Sequence, residues 1–264
     1  MASVSRSLRG DQWADHLSGA LAGSSADTPS WVARHVRPLK TDRFSRAGLL
    51  ELQGQSCFLK LYLAKSSLQR LGFRLGHGRA VHSFDAAHRL ASAGLPVPSP
   101  LACLLVEEGM ILLTEGIAHG RDLRALWLEQ AGTAVAEQLM RAAGGTLAAL
   151  HRAGFAHGDC KWSNLLWDET QLYLVDLESV RAVKSPRDRP LPLHARQLAD
   201  LARYTVDAEE LGATPARYAA FMDDYCSILG CRRELVSAGM LPALEAIRKR
   251  HRETYGSDYP PLVR

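Results

Sequence analysis

One eight-residue string, His157-Gly158-Asp159-Cys160-Lys161-Trp162-Ser163-Asn164, restricts what this chain can fold into more than anything else in it. It follows a helical pattern that ends at His151-Arg152-Ala153-Gly154, and it leads into Leu165-Leu166. Seventeen residues after Asp159 (176 − 159 = 17), the apolar run Leu172-Tyr173-Leu174-Val175 closes on Asp176. Taken singly these polar residues are ordinary: an aspartate in a turn, an asparagine cap, an acid at a strand end. In this order and spacing they call for a loop followed by a short hairpin that brings two carboxylates and one amide together. His157 is expected to brace that loop by hydrogen bonding.

Such a set suits phosphoryl transfer, in which one aspartate accepts the proton of the acceptor hydroxyl while an asparagine and a second aspartate hold magnesium. A loose transition state needs little covalent help from protein and much positioning and charge neutralisation. Asp159 is the candidate base, and Asn164 and Asp176 offer the hard oxygen donors that Mg²⁺ prefers. Upstream, Lys60 interrupts the apolar strand pattern Cys57-Phe58-Leu59-Lys60-Leu61-Tyr62. A lysine so placed either points to solvent or meets an anion, and with the downstream string it is read as the catalytic lysine on the α- and β-phosphates of ATP.

The remaining pattern predicts an α+β chain of two lobes. Residues 1–30 read as a leader, with a helix over 11–21 and a loop over 24–30; residues 31–115 as a β-rich lobe binding ATP; residues 116–264 as a helical lobe carrying the catalytic loop. In the β-rich part, alternating apolar residues flank a turn at Gln53-Gly54-Gln55, and a second hairpin turns at Glu107-Glu108-Gly109. A helix over 79–93 stops at Gly94. Beyond residue 116, helices are predicted over 122–130, 135–153, 195–204, 215–229 and 240–252, with short strands at 165–167 and 172–175.

The chain resembles the lipopolysaccharide core kinases, the Kdo and heptose kinase family of the protein-kinase-like superfamily. The likeness runs from about Arg37 to Tyr204 and rests on Phe58-Leu59-Lys60, Ala93-Gly94-Leu95-Pro96-Val97-Pro98, the His157 to Asn164 string and Tyr173-Leu174-Val175-Asp176-Leu177-Glu178. It implies a two-lobed protein-kinase-like fold, Mg-ATP as donor and a sugar hydroxyl of the lipopolysaccharide inner core as acceptor. Asp-Leu-Glu replaces Asp-Phe-Gly, which implies no flipping activation segment. The glycine-rich loop is nearly absent from Lys40 to Gly48, leaving phosphate contacts to Ser45, Arg46 and backbone amides. Glu115 and Ile117 fall where a hinge presents backbone groups to adenine, although a plain lobe connection would look the same. The helix over 79–93 has Ser83 at the position of the usual lysine-pairing glutamate, and its one acid, Asp85, is either a surrogate or a solvated side chain. Asp200 is either an anchor beneath the catalytic loop or a surface acid. Two other functions stay open: a small-molecule phosphotransferase of the aminoglycoside or choline kinase type, and a non-catalytic pseudokinase scaffold.

Composition sets outer limits. With 47% hydrophobic and 23% charged residues, the 264-residue chain has globular composition. Its five cysteines are scattered, with no C-x-x-C pair, which fits a reducing compartment. No apolar run of signal-peptide type occurs in residues 1–23. A cytoplasmic location is therefore expected, with no nucleic-acid partner. The net charge of +4 admits an anionic partner without choosing one. Arg248, Lys249, Arg250 and Arg252 suggest peripheral contact with the anionic inner face of the cytoplasmic membrane; the alternative is a solvated helix end whose cations suit the helix dipole.

Overall fold

The turn at Gln53-Gly54 takes left-handed backbone at both central residues, φ 53° and 72°. Its twist matches that of the strands it joins, which is why two-residue hairpin loops favour this conformation and place glycine in it. The computed structural model describes residues 4–184, 191, 193–256 and 258–264, which divide into two units. The first runs to Ser92 and resumes over Val97–Ala118; the second takes Ala93–Pro96 and His119–Arg264.

The first unit contains β1 (Val4–Arg9), α1 (Asp11–Ala22), α2 (Thr28–His35), β2 (Arg37–Asp42), β3 (Ser45–Leu52), β4 (Gln55–Leu63), α3 (Ser67–Arg74), α4 (Arg79–Ser92), β5 (Pro100–Val106) and β6 (Gly109–Glu115). The strands form one antiparallel sheet in the order β1-β5-β6-β4-β3-β2. Alternation along β4 assigns its side chains to two faces. Cys57, Leu59 and Leu61 are buried against Leu17 and Leu21 of α1 and Trp31 and Val32 of α2. Tyr62 joins Phe73 of α3 and Val81 and Phe84 of α4 on the other face.

The sequence pattern sets residues 1–30 apart as a leader, and here the structure differs. Val4–Arg9 pairs with β5 as an edge strand, and α1 covers one face of the sheet. The spacing of Ala14, Leu17 and Leu21 supplies the buried stripe that a detached helix would not need. The loop expected over 24–30 is also shorter. The Asp27 carboxylate accepts from Ser30 N at 2.7 Å, and Pro29 occupies the first turn, so α2 begins at Thr28.

The second unit contains β7 (Arg121–Asp122), α5 (Leu123–Gln130), α6 (Ala134–Arg152), β8 (Phe155–Ala156), β9 (Leu165–Trp167), β10 (Leu172–Leu174), β11 (Arg181–Ala182), α7 (Ala195–Glu210), α8 (Pro215–Leu229) and α9 (Arg233–Tyr255). β9 lies between β10 and β7, and β8 pairs with β11. Helix α6 packs on α8, and α7 on α9. α9 starts seven residues before the expected 240 and runs through Pro242, which removes one intrahelical hydrogen bond. Val236, Met240 and Leu244, four residues apart, are all buried and hold both sides of the proline to one face.

The α9 cation cluster is not the free basic surface that its sequence suggests. Arg248 is 12% exposed at its side chain and paired with Glu209 and Glu245, and it donates to Val263 O at 2.9 Å. Arg252 lies 3.6 Å from Asp258, and Lys249 lies 3.9 Å from Glu253. Local acids take up most of that charge.

Since Leu17 is fully buried against the sheet, Leu17→Ala should cost about 2–5 kcal/mol, the usual cost of a cavity at a buried leucine. Urea unfolding measures it. A loss below ~0.5 kcal/mol would show that α1 is dispensable to this core.

Candidate active site

Asp200, on α7, holds the catalytic string from below. Its Oδ1 accepts from Gly158 N at 2.7 Å, and its Oδ2 accepts from His157 N at 2.6 Å and lies 3.3 Å from His151 Nε2. The residue is 1% exposed, so of the two sequence readings the anchor is the correct one. Gly158 turns at φ 82°, and a Cβ there would come within 2.7 Å of Ser179 O. Only glycine fits between Asp200 and that carbonyl.

The string then folds back on itself. His157 Nε2 lies 3.0 Å from Val175 O, and its Nδ1 accepts from Asp159 N at 3.4 Å, an arrangement that assigns the proton to Nε2. The ring is fully buried, and burial pushes its pKa below the ordinary histidine value, so it works as a neutral brace, as expected. Asp159 Oδ2 accepts from Lys161 Nζ at 2.8 Å and from Asn164 Nδ2 at 3.1 Å. The same amide nitrogen donates to Asp159 O at 2.9 Å. With Nδ2 committed to Asp159, Oδ1 is the oxygen that Asn164 can offer a cation. Val175 N donates to Asn164 O at 3.0 Å, which fastens the end of β10 to the loop just before Asp176. Asp176 itself has left-handed backbone, φ 59° and ψ 55°, and opens a 3-10 turn over Leu177–Ser179. Asp159, Asn164 and Asp176 are thus gathered in one unit, as their spacing predicts.

The donor set fits magnesium rather than a metal needing an all-protein cage. Among the described residues no group of three or more His, Cys, Asp or Glu side chains could hold a metal. One amide oxygen and one carboxylate, completed by phosphate oxygens and water, match the way Mg²⁺ is usually bound.

In the first unit, Lys60 on β4 pairs with Ala47 of β3 and Leu112 of β6, and its Nζ lies 5.1 Å from the centre of the Tyr62 ring. Ser45 pairs with Tyr62 and so shares the face of Lys60. Its hydroxyl donates to Asp42 Oδ2 at 2.6 Å inside the β2–β3 turn. Arg46 does not join them. It pairs with Leu61, on the opposite face, and its guanidinium donates to Pro29 O. The strand alternation that buries Leu61 carries Arg46 away from Lys60. Asp85 is likewise no surrogate for the missing glutamate, because Arg9 holds its two carboxylate oxygens at 3.0 and 3.2 Å. Ser83 is buried, with a hydroxyl that has no hydrogen-bond partner among the described residues. Glu115 ends β6 and accepts from Ser99 N and Oγ at 3.2 and 2.9 Å; Ile117 follows the Gly116 N to Ser56 O bond.

Two supports escape the sequence reading. Gln197 Nε2 donates to His151 O at 2.9 Å and Phe155 O at 3.1 Å, and Asp207 Oδ2 accepts from Trp162 N at 2.7 Å. Gln197, Asp200 and Asp207 recur at helical spacing on α7, a buried polar stripe that the sequence does contain. Trp162 is fully buried, edge-on to Trp127 at 5.1 Å, and packs rather than facing an acceptor. Because the folded His157 resists a proton that the unfolded chain accepts, stability should fall as pH drops through about 6.5, the unfolded value, and continue falling toward the lowered folded pKa. Unfolding free energies across that range should show a shallower slope in His157→Gln; an unchanged slope would remove His157 from the acid response.

The sequence profile described as the lipopolysaccharide kinase (Kdo/WaaP) family matches residues 30–225. A 3-deoxy-D-manno-octulosonic acid kinase of Vibrio parahaemolyticus serotype O3:K6 is 30% identical over 108 residues, covering 39% of this chain and 44% of that protein. A protein of the same name from Xylella fastidiosa strain M23 is 27% identical over 170 residues, covering 57% and 63% respectively. The chain therefore spans about half the length of these curated relatives. The solved structure of WaaP in complex with acyl carrier protein aligns with a TM-score of 0.61 at 18% identity, over 95% of this chain and 99% of that one. That likeness shows a shared two-lobed, protein-kinase-like α+β fold. With the profile covering most of its length, this chain belongs to the lipopolysaccharide kinase (Kdo/WaaP) family.

Proposed function

We propose that this chain is an ATP-dependent kinase that phosphorylates a sugar hydroxyl of the lipopolysaccharide inner core. The observation that carries the proposal is the Asp159 carboxylate, held on one oxygen by Lys161 and Asn164 within a loop that is bonded to the backbone next to Asp176. Oδ1 of Asp159 receives the proton of the acceptor hydroxyl as that oxygen attacks the γ-phosphorus. Lys161 neutralises the second carboxylate oxygen and keeps the base oriented. Asn164 Oδ1 and the Asp176 carboxylate would hold Mg²⁺, which when bound neutralises charge on the β- and γ-phosphates. Lys60 meets the α- and β-phosphates, with Ser45 and the amides of the β2–β3 turn nearby in the strand register; Arg46 contributes its backbone there. Backbone groups of Glu115 and Ile117 receive the adenine.

The names of the curated relatives favour 3-deoxy-D-manno-octulosonic acid over heptose as the acceptor sugar. A lipid-linked acceptor implies action at the cytoplasmic face of the membrane. Among the described residues no helix is long and apolar enough to cross it. A pseudokinase is disfavoured, since candidates for the base and for both metal-binding positions are present in the braced loop and the hairpin that follows it.

Purified protein with labelled ATP should phosphorylate core oligosaccharide in preference to aminoglycosides or choline; the reverse preference would overturn the acceptor class and leave the kinase reading standing. Asp159→Asn should keep the fold and ATP binding while lowering turnover by about 10²–10⁴, and unchanged turnover would remove Asp159 as the base. In Asp176→Ala, magnesium should no longer raise the melting temperature of the nucleotide complex. An intact magnesium-dependent shift would count against a metal role. Lys60→Met should raise KM for ATP or abolish activity, whereas a lysine serving only as strand surface would change nothing beyond ~0.5 kcal/mol.

A further inference from the structure

Helix α3 carries its apolar residues on the wrong side for a surface helix of a self-sufficient fold. Phe73 is buried in the cluster with Tyr62, Val81 and Phe84. Leu68, Leu71 and Leu75 are 79%, 51% and 65% exposed. At a helical rotation of about 100° per residue, Leu68 and Leu71 on α3, with Leu75 at its C-cap, fall within roughly 60° of one another and roughly opposite Phe73. They form a convex apolar ridge over two turns.

The charge carried by the helix and its flanking segments has one sign. Lys65, Arg70 and Arg74 are all exposed, and residues 64–84 contain no aspartate or glutamate. Arg6 adds a further cation by donating from Nη2 to Arg74 O at 2.8 Å, at the C-terminal end of the helix. Here α3 contrasts with α9, whose cations are met by acids on the same helix and beside it. A ridge of leucines flanked by cations, in a segment without an acid of its own, is the arrangement of a helix lying in a membrane interface. A second copy of the chain suits it poorly, because a two-fold contact through this ridge would set the same cations against each other.

We propose that α3 docks this chain on an anionic lipid surface, with Leu68, Leu71 and Leu75 entering the boundary between headgroups and acyl chains and the flanking cations meeting headgroup phosphates. The proposal deepens the kinase reading by giving the enzyme a lipid-facing surface. It needs neither ATP nor acceptor, so either reading can fail alone.

Flotation of the full chain with vesicles tests it. The chain should float with phosphatidylcholine vesicles containing roughly one third phosphatidylglycerol, far less with phosphatidylcholine alone, and progressively less as salt rises. The triple variant Leu68→Ser, Leu71→Ser, Leu75→Ser should partition at least about tenfold more weakly on the loss of three inserting side chains. Arg70→Gln with Arg74→Gln should weaken binding and blunt its salt dependence, while Lys249→Gln with Arg250→Gln should leave both unchanged. As a readout that keeps the apolar ridge, Leu68→Trp should shift its tryptophan emission to the blue when anionic vesicles are added. Wild-type protein that does not float, a triple variant that floats as well as wild type, or a Leu68→Trp emission blind to vesicles would overturn the proposal. So would leucine substitutions that abolish self-association or capture of a soluble acidic protein while leaving flotation intact.

Discussion

The His157–Asn164 string depends on a buried carboxylate beneath it. Asp200 receives two consecutive backbone N–H groups, from His157 and Gly158. Buried donors left unsatisfied cost about 1–3 kcal/mol each, so this one side chain fixes the loop's path more firmly than its sequence neighbours could. His151 links Asp200 to Tyr225 of α8 through a 2.6 Å contact, and Gln197 ties the end of α6 to the same helix face. The start of the loop is thus fixed by three helices packed on one another, while bonds within the loop from Asn164 and Lys161 to Asp159 set the rest of its path.

The β-rich unit solves a different problem. A six-stranded sheet has two faces and two edges to cover, and the chain assigns residues 4–35 to one face and one edge. Arg9 then clasps Asp85 across from β1 to α4. That contact consumes the one acid of α4, and Ser83 offers only a neutral hydroxyl, so α4 provides no carboxylate for Lys60 in the manner of regulated protein kinases. Lys60 lies beside the Tyr62 ring, whose face favours a cation without carrying a charge of its own.

What the sequence revealed follows from how local each signal is. The two hairpins, α8 and the run from His157 to Asp176 were legible because turn chemistry, capping residues and motif spacing act over a few residues. Thr214 and Pro215 mark the start of α8 and Gly230 its end, and the structure agrees at both. Apart from the Asp27 cap that starts α2, a local signal, the misreadings involve partners distant in sequence. β1 exists because β5, nearly one hundred residues on, offers an unpaired edge. Arg46 faces away from Lys60 because register, not proximity, decides which side of a strand a residue takes. Gln197 and Asp207 lay in plain view as polar residues at helical spacing, yet such spacing on a sequence also describes a solvated face; only their burial distinguishes the two.

Asp176 shows how the two halves of the site constrain each other. Left-handed backbone at a residue other than glycine is uncommon, and aspartate is among the residues that tolerate it best. The conformation is held from both sides: before it, Val175 gives its N–H to Asn164 O, and its carbonyl accepts from His157; after it, the turn through Leu177 brings Ser179 against Gly158. Each contact is made by the His157–Asn164 string, so the backbone at Asp176 cannot change conformation without disturbing that loop. A side chain at position 158 would collide with Ser179, and a bulky aromatic after Asp176 is not needed where Leu177 is already buried. Asp176, at the head of Asp-Leu-Glu, thus has its backbone held on both sides by the loop that carries Asp159 and Asn164.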